Sequence, residues 1–542
     1  MPADTTMRVG RGQSWVTRWT SAQYAALSPV TDSVPFFRTT TELSPNQRDY
    51  IWDGRTGREQ GALSLPPGVF TGAYISVAGV VNYPFEVDPL HYIHFCGPNQ
   101  DCTYEWLDTN HPNWIVRTHD QATPAWFFNA QNFVPLDISN PIVQNFLLVN
   151  EIGPLIGYGF QGISVDNVNE RNLFDLEGVC SASIPLDSSG NPVGDCTSNG
   201  GIWTQLYQPP STLPDPSYDD GAYTTDRVAW LKAITAYAHQ LGAAVAANIY
   251  YETRNLNHKA AHDQAYKALI NSVDIWAYEP GFTGTFVPSP CLVGGAQSYS
   301  RIAGDLAAGA NTVTLANDNA RYFTNGSEIS IPGAGPNGNV YVGNAVGAPQ
   351  GDTITIQPST GTAVASGTLI YEGGPQYGMV GTQWINLVNF INGLNLSNSI
   401  ATYQENSICP IGTDPQVSRP VVEWAIGSNL MTKPAANAHS YVEMFFANGD
   451  GTDGAAYDTD EEPGGDWPEW HWRHGKALDP VPVLTNGVYS RRFQHGMVVC
   501  NPTADPLSFY FGTAVYHSFT NQTYTGTQSI AGPSCVMLQT GP

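Results

Sequence analysis

"GFQGISVDNVNE", residues 159–170, decides how the rest of the chain is read. Glycine turns lead into a short apolar, β-branched run, Ile163-Ser164-Val165, which delivers Asp166 and Asn167 where the strand should end. A carboxylate at the tip of a buried strand is costly unless it has a use. In parallel α/β folds that tip is where functional side chains gather.

Working outward, similar β-rich runs recur at VFTGAYISVAG (69–79), NFVPLDIS (132–139), AAVAANIY (243–250), VDIWAYE (273–279), SIATYQE (399–405) and YVEMFFANG (441–449). Helical patterns lie between them. Residues 140–156 open on Asn-Pro, an N-cap followed by proline at the first helical position. Residues 224–242 start with Thr and Asp as capping residues and end on Gly242, and 267–272 and 383–394 continue the pattern. Alternating strands and helices mean parallel strands with crossover helices. With SVPFF (33–37) as the best candidate for an eighth strand, the expected fold is an α/β TIM (β/α)8 barrel. An open doubly wound sheet is the alternative, and it loses support because no Gly-rich nucleotide motif follows a strand.

Two regions break the rhythm. Residues 284–375 are rich in Gly, Ala, Thr and Asn with short alternating runs, which suggests an inserted small β-domain. From 476 the pattern is all-β, as in a C-terminal β-sandwich. The expected organisation is therefore barrel over 1–283, insertion over 284–375, barrel again over 376–475, and β-sandwich over 476–542.

Lys and Arg number 22 against 47 Asp and Glu, a net charge of −25, which argues against nucleic acid or an anionic membrane surface as partner. No apolar run is long enough to span a bilayer, so no membrane insertion is expected. MPADTTMRVGRGQSW at the start has no apolar h-region and reads as no signal peptide. Eight cysteines without zinc-like spacing are nevertheless expected to pair, as Cys96 with Cys102, Cys180 with Cys196, and Cys500 with Cys535, leaving Cys291 for Cys409. Disulfides imply an extracellular setting, either secreted or on a phage particle.

Acids recur at the expected strand tips: Asp137, Asp166, Glu279, Glu405 and Glu443, with Asn248 ending the fifth strand. Glycoside hydrolysis needs two carboxyl groups, one to protonate the leaving oxygen and one to attack or to activate water. The chain also has 14 Trp and 27 Tyr, and Tyr74, Trp126, Tyr250, Trp276 and Tyr278 fall beside the tips as candidate sugar-stacking rings. Asp166 and Glu279 are the candidate catalytic pair, with Glu279 as acid and Asp166, beside Asn167, as nucleophile or base. Asp137 is open between binding sugar hydroxyls and capping the turn before Asn140. Asn248 is open between a substrate contact and a buried amide satisfied by backbone. Glu405 and Glu443 are reserves. The acidic stretch 448–462 does not match an EF-hand, and His471 with His474 lack a third ligand, so neither a metal nor a cofactor is expected.

"GYGFQGISVDNV" resembles the fourth-strand motif of a glycoside-hydrolase-like TIM-barrel family whose barrel is followed by a β-sandwich. "DIWAYEPGF" is similar to its sixth-strand motif, and "GVYSRRFQHGMVVCNPT" to the hairpin that opens the sandwich. The resemblance covers residues 130–282 and 380–510 and implies a polysaccharide or other glycan as substrate, with Asp166 at the catalytic site. Gln161 departs from the pattern, an amide standing where the family often has Asp, and leaves Asp166 untouched. "AGANTVTLA" in the insertion resembles modules of phage tail and surface proteins. The alternative function is accordingly a non-catalytic carbohydrate- or receptor-binding protein, such as a phage virion component. Homo-oligomer formation and virion assembly are left open.

Overall fold

The computed structural model describes residues 9–12, 48–53, 70–81, 96, 100–126, 133–157, 160–168, 177–207, 221–249, 259–278, 281–283, 299–315, 320, 323, 325, 328–339, 341–372, 380–398, 400–408, 419–434, 440–446, 468–503 and 505–541. Eight strands run parallel and close on themselves: β1 (Val9–Gly12), β2 (Arg48–Asp53), β3 (Phe70–Ser76), β4 (Gly162–Val168), β5 (Ala244–Ile249), β6 (Ile275–Tyr278), β7 (Ala401–Ile408) and β8 (Tyr441–Phe446). Neighbours in the barrel are neighbours in the chain, and β1 closes the ring on β8. The fold is thus an α/β barrel followed by a β-rich C-terminal region.

Helices α1 (Pro141–Leu147), α2 (Ala222–Gln240), α3 (Lys259–Ile270), α4 (Gly381–Asn398) and α5 (Arg419–Thr432) connect β3 through β8. Asn140 caps α1 as its sequence requires, accepting from the Ile142 N–H, with Pro141 next. The helix then loosens into a π-helical segment, Leu148–Ile152, before a last α-turn at Gly153–Gly157. The expected Thr/Asp cap of α2 is not used; Gly221 is the N-cap and makes no side-chain cap bond. That helix buries Tyr223, Arg227, Trp230, Leu231, Ile234 and Ala238, a single stripe at helical spacing that contains one cation.

Two strand assignments need correction. SVPFF (33–37) lies outside the described residues, and β1 and β2 come from Val9–Gly12 and Arg48–Asp53 instead. Among the described residues of NFVPLDIS, Phe133–Pro135 forms a strand, and it pairs antiparallel with Gly79–Val81 outside the barrel. Pro135 has no N–H to give a second neighbour, which suits the edge of a two-stranded pair and not the middle of a barrel wall. Strand β3 is therefore residues 70–76, and a long link joins it to β4.

That link and the one after β4 are bound to each other. Val116–Arg117 from the first pairs with Glu177–Cys180 from the second, which pairs in turn with Trp203–Tyr207. Arg117 is fully buried and donates to Asp108 at 2.6 Å, to the Tyr104 hydroxyl at 2.9 Å and to the Ala122 carbonyl at 2.7 Å. Asp108 also accepts from the Ile184 N–H and the Ser183 hydroxyl, so its charge is well compensated. Disulfide Cys96–Cys102 lies within the first link and Cys180–Cys196 within the second.

Residues 299–372 contribute a six-stranded antiparallel sheet with its own core, including Ile329, Ile331, Tyr341, Ile354 and Ile356. The C-terminal region has a six-stranded sheet and a two-stranded one, joined by a core that includes Val488, Val499, Phe509 and Leu538. The opposite face of the larger sheet packs on α5, where a Cβ on Gly427 would lie 2.7 Å from Cys535 Cβ. Cys535 is bridged to Cys500. Cys291 and Cys409 lie outside the described residues. Among the described residues no helix is long and apolar enough to cross a membrane.

Candidate active site

Strand β4 answers the question its sequence raises. Ala247 of β5 pairs with Val165, but Ile249 pairs with Val168, so three residues of β4 face two of β5. The extra residue makes a β-bulge, and Asn167 within it takes φ +63°, the left-handed region that asparagine tolerates better than most residues. Ile163, Val165 and Val168 all join the main core against the helices. Spacing of two and then three keeps Val168 on that outer side despite the bulge, and leaves Asp166 on the opposite parity with Ser164.

Asp166 is half-buried at the strand end. Its carbonyl accepts from the Val77 N–H at 3.0 Å, and it stands level with Ser76 of β3. Asn248 of β5 donates through Nδ2 to Asp166 Oδ1 at 3.0 Å. Two residues that the sequence places on separate strand tips are therefore in direct contact. An amide donor on the carboxylate suits an acid that works ionised, because an ionised carboxylate only accepts.

Further round the barrel, Asn248 stands level with Ala277, Ala277 with Tyr403, and Tyr403 with Tyr441. Ala246, Ile275, Ala277, Ala401, Tyr403 and Tyr441 form a separate core, the packed interior of the barrel. Two residues beyond the tyrosines, Glu405 and Glu443 are register partners on β7 and β8. Glu279, Tyr250 and the side chain of Tyr74 lie outside the described residues, as do the side chains of Glu405 and Glu443. The acidic loop 448–462 lies outside them too.

Two of the aromatic candidates are corrected by parity. Trp276 and Tyr278 alternate with Ile275 and Ala277, so they face the helix layer and not the barrel interior. Trp276 is fully buried, meets Phe390 of α4 edge-on, and donates Nε1–H to the Ile249 carbonyl at 2.8 Å. Tyr278 is 1% exposed, and Trp126 is buried beside Tyr104 with ring centroids 5.8 Å apart. None of the three offers an open ring face to a sugar.

For Asp137 the geometry matches the turn-capping alternative. It follows the off-barrel strand, is buried, and accepts from both the N–H and the hydroxyl of Ser139, a turn-closing arrangement. Burial raises its pKa despite those bonds. His474 is buried with Nδ1 2.6 Å from the Gly475 carbonyl oxygen. No group of three or more His, Cys, Asp or Glu among the described residues has the geometry to hold a metal ion.

Sequence reasoning missed the groups outside the bulge. Arg227, Tyr223 and Glu177 surround a small cavity that Asn167 and Ser76 also line. A signal existed: Arg227 occupies a stripe position of α2 where an apolar residue is the norm. The bulge was legible too, in the two-then-three spacing of Ile163, Val165 and Val168.

No protein-family model matches the chain, and no curated protein matches it in sequence. Among solved structures it is similar to a noncanonic maltogenic α-amylase from Thermotoga neapolitana, at 7% identity and TM-score 0.42, covering 99% of each chain. An α-amylase from Malbranchea cinnamomea matches at 8% identity and TM-score 0.35, over 92% of this chain and 86% of that one. An α-galactosidase from Geobacillus stearothermophilus matches at 8% identity and TM-score 0.32, over 88% of this chain but only 45% of that one. Likenesses with such low TM-scores bear on neither chemistry nor substrate.

Proposed function

We propose that the protein is a glycoside hydrolase that cleaves an extracellular or cell-surface polysaccharide with two carboxyl groups. The observation that carries the reading is the bulged end of β4, where Asp166 is held by Asn248 at the C-terminal face of a parallel barrel. Asp166 is the nucleophile or base. Glu279, the residue directly after β6, is the acid that protonates the leaving oxygen. Asn248 orients Asp166, while Glu405 and Glu443 contribute to binding further round the rim.

The barrel belongs to the (β/α)8 class in this reading, divided as 1–283 and 376–475, with the insertion at 284–375 and a β-sandwich from 476 to 542. Three disulfides suit an oxidising, extracellular location. The two fastened links after β3 and β4 stand where substrate-shaping loops of such barrels stand.

A polysaccharide panel read by new reducing ends tests the proposal. Wild-type protein is expected to cleave at least one member, and Glu279→Gln to reduce that turnover by several orders of magnitude with an unchanged melting curve. Full activity in Glu279→Gln would remove the residue from the mechanism. A wild-type protein inert on the whole panel would favour a binding role.

A further inference from the structure

We infer that the cavity beside Asn167 takes the acetamido group of a 2-acetamido sugar, so that the substrate is an N-acetylated glycan; this deepens the glycosidase reading and rests on it. The cavity lies by the ends of β3 and β4, lined by Ser76 and Asn167, which are level with and next to Asp166 respectively. In the proposed pose a sugar ring at Asp166 directs one substituent past Ser76 and Asn167 into the cavity.

Its size limits that substituent. The cavity measures about 50 Å³, and one water needs roughly 10–15 Å³ of such space, so it holds a group of roughly three to five heavy atoms. A ring hydroxyl is too small to fill it, whereas the carbonyl and methyl of an acetyl group match. Val77, Ala78, Val116, Ala125 and Leu136 give it an apolar wall suited to a methyl.

Charge then separates acetamido from carboxylate or sulfate. Arg227 is 8% exposed, with its guanidinium 4.3 Å from the centroid of the Tyr223 ring. The buried Glu177 acts electrostatically on Arg227, and Arg227 in turn on the buried Asp137. Among the described residues one cation is already set against two carboxyl groups, and none of them offers the site a spare positive charge for an anionic substituent. A neutral carbonyl needs no such charge. Arg227 Nε finds no hydrogen-bond partner among the described residues, and a buried donor of this kind favours a ligand that supplies an acceptor.

The test is saturation-transfer NMR on the wild-type protein with the methyl glycosides of N-acetylglucosamine and N-acetylgalactosamine, set against methyl glucoside and methyl galactoside. The acetyl methyl of at least one amido sugar should be the most strongly saturated group, and its hydroxyl parent should show little saturation. Ala78→Leu, which places extra carbons in the cavity, should abolish the acetyl signal; Ala125→Leu is the second variant if the first melts early. An acetyl methyl saturated no more than the ring protons, or a signal that survives both variants, would overturn the inference. Acetyl binding without hydrolysis of any polysaccharide would overturn the glycosidase reading and leave the pocket standing. Hydrolysis confined to glycans without acetamido groups would overturn the pocket alone.

Discussion

Arg491 in the C-terminal sheet and Arg227 beneath the barrel rim are both buried arginines, yet their surroundings differ in kind. Arg491 donates to the carbonyls of Leu430 and Lys433 at the end of α5, and to those of Asp479 and Pro480. Every nitrogen is used, and the side chain fastens the C-terminal region to the last barrel helix. Burial pulls its pKa down to about 10, still well above neutrality. Arg227 instead lies among tyrosines and carboxyl groups, beside a cavity, with Nε lacking a partner among the described residues. A saturated buried ion is a structural fastener, whereas one with spare bonding capacity next to a cavity is equipped for a ligand.

Removing each arginine breaks the comparison most directly. Arg491→Met would strand four carbonyls, each costing about 1–3 kcal/mol when left unsatisfied, so a loss of more than about 4 kcal/mol is expected in denaturant unfolding. Whatever protein remains folded at low temperature should keep its substrate preference. Arg227→Gln removes a buried cation that faces Glu177, and a loss of about 3 kcal/mol is expected. Unlike the Arg491 variant, it should also lose discrimination between acetamido and hydroxyl sugars. Equal changes in preference for the two variants would mean that Arg227 is a fastener like Arg491.

Glu151, in the π-helical segment, sharpens the point with the opposite charge. Burial alone raises its pKa to about 8. A raised folded-state value means that stability is fully present below the unfolded value near 4.5 and is lost as pH rises through 8. Glu151→Gln cannot ionise, so it should gain on wild type as pH climbs from 5 to 8, by up to a few kcal/mol. Melting curves across that range check it; a constant difference would mean that Glu151 is paired.

Much of the barrel was legible because its later strands are apolar runs closed by turn residues, and β4 through β8 fall where those runs lie. The start was not. Val9–Gly12 holds two glycines and an arginine, and its place is set by pairing with β2 and β8, which no local pattern encodes. Phe133–Pro135 misled for the converse reason, since an apolar run reads alike in a barrel wall and in a two-stranded edge pair. At the site, the types of residue were readable but not their directions. Trp276 and Tyr278 lie next to an acidic position in sequence, yet alternation turns them to the helix layer. Asn248 was open between two roles, and its contact with Asp166 depends on a bulge that shifts the register between β4 and β5.

The central claim is that Asp166, at the bulged end of β4, takes part in glycoside cleavage. The most direct measurement is turnover of Asp166→Asn beside wild type, on the polysaccharide the panel selects. Both proteins should be shown folded by the same melting curve. Asparagine keeps the size and can still meet Asn248, so the fold should stand while turnover falls by several orders of magnitude. Turnover within a small factor of wild type would contradict the account and leave Asp166 as a structural residue of the bulge.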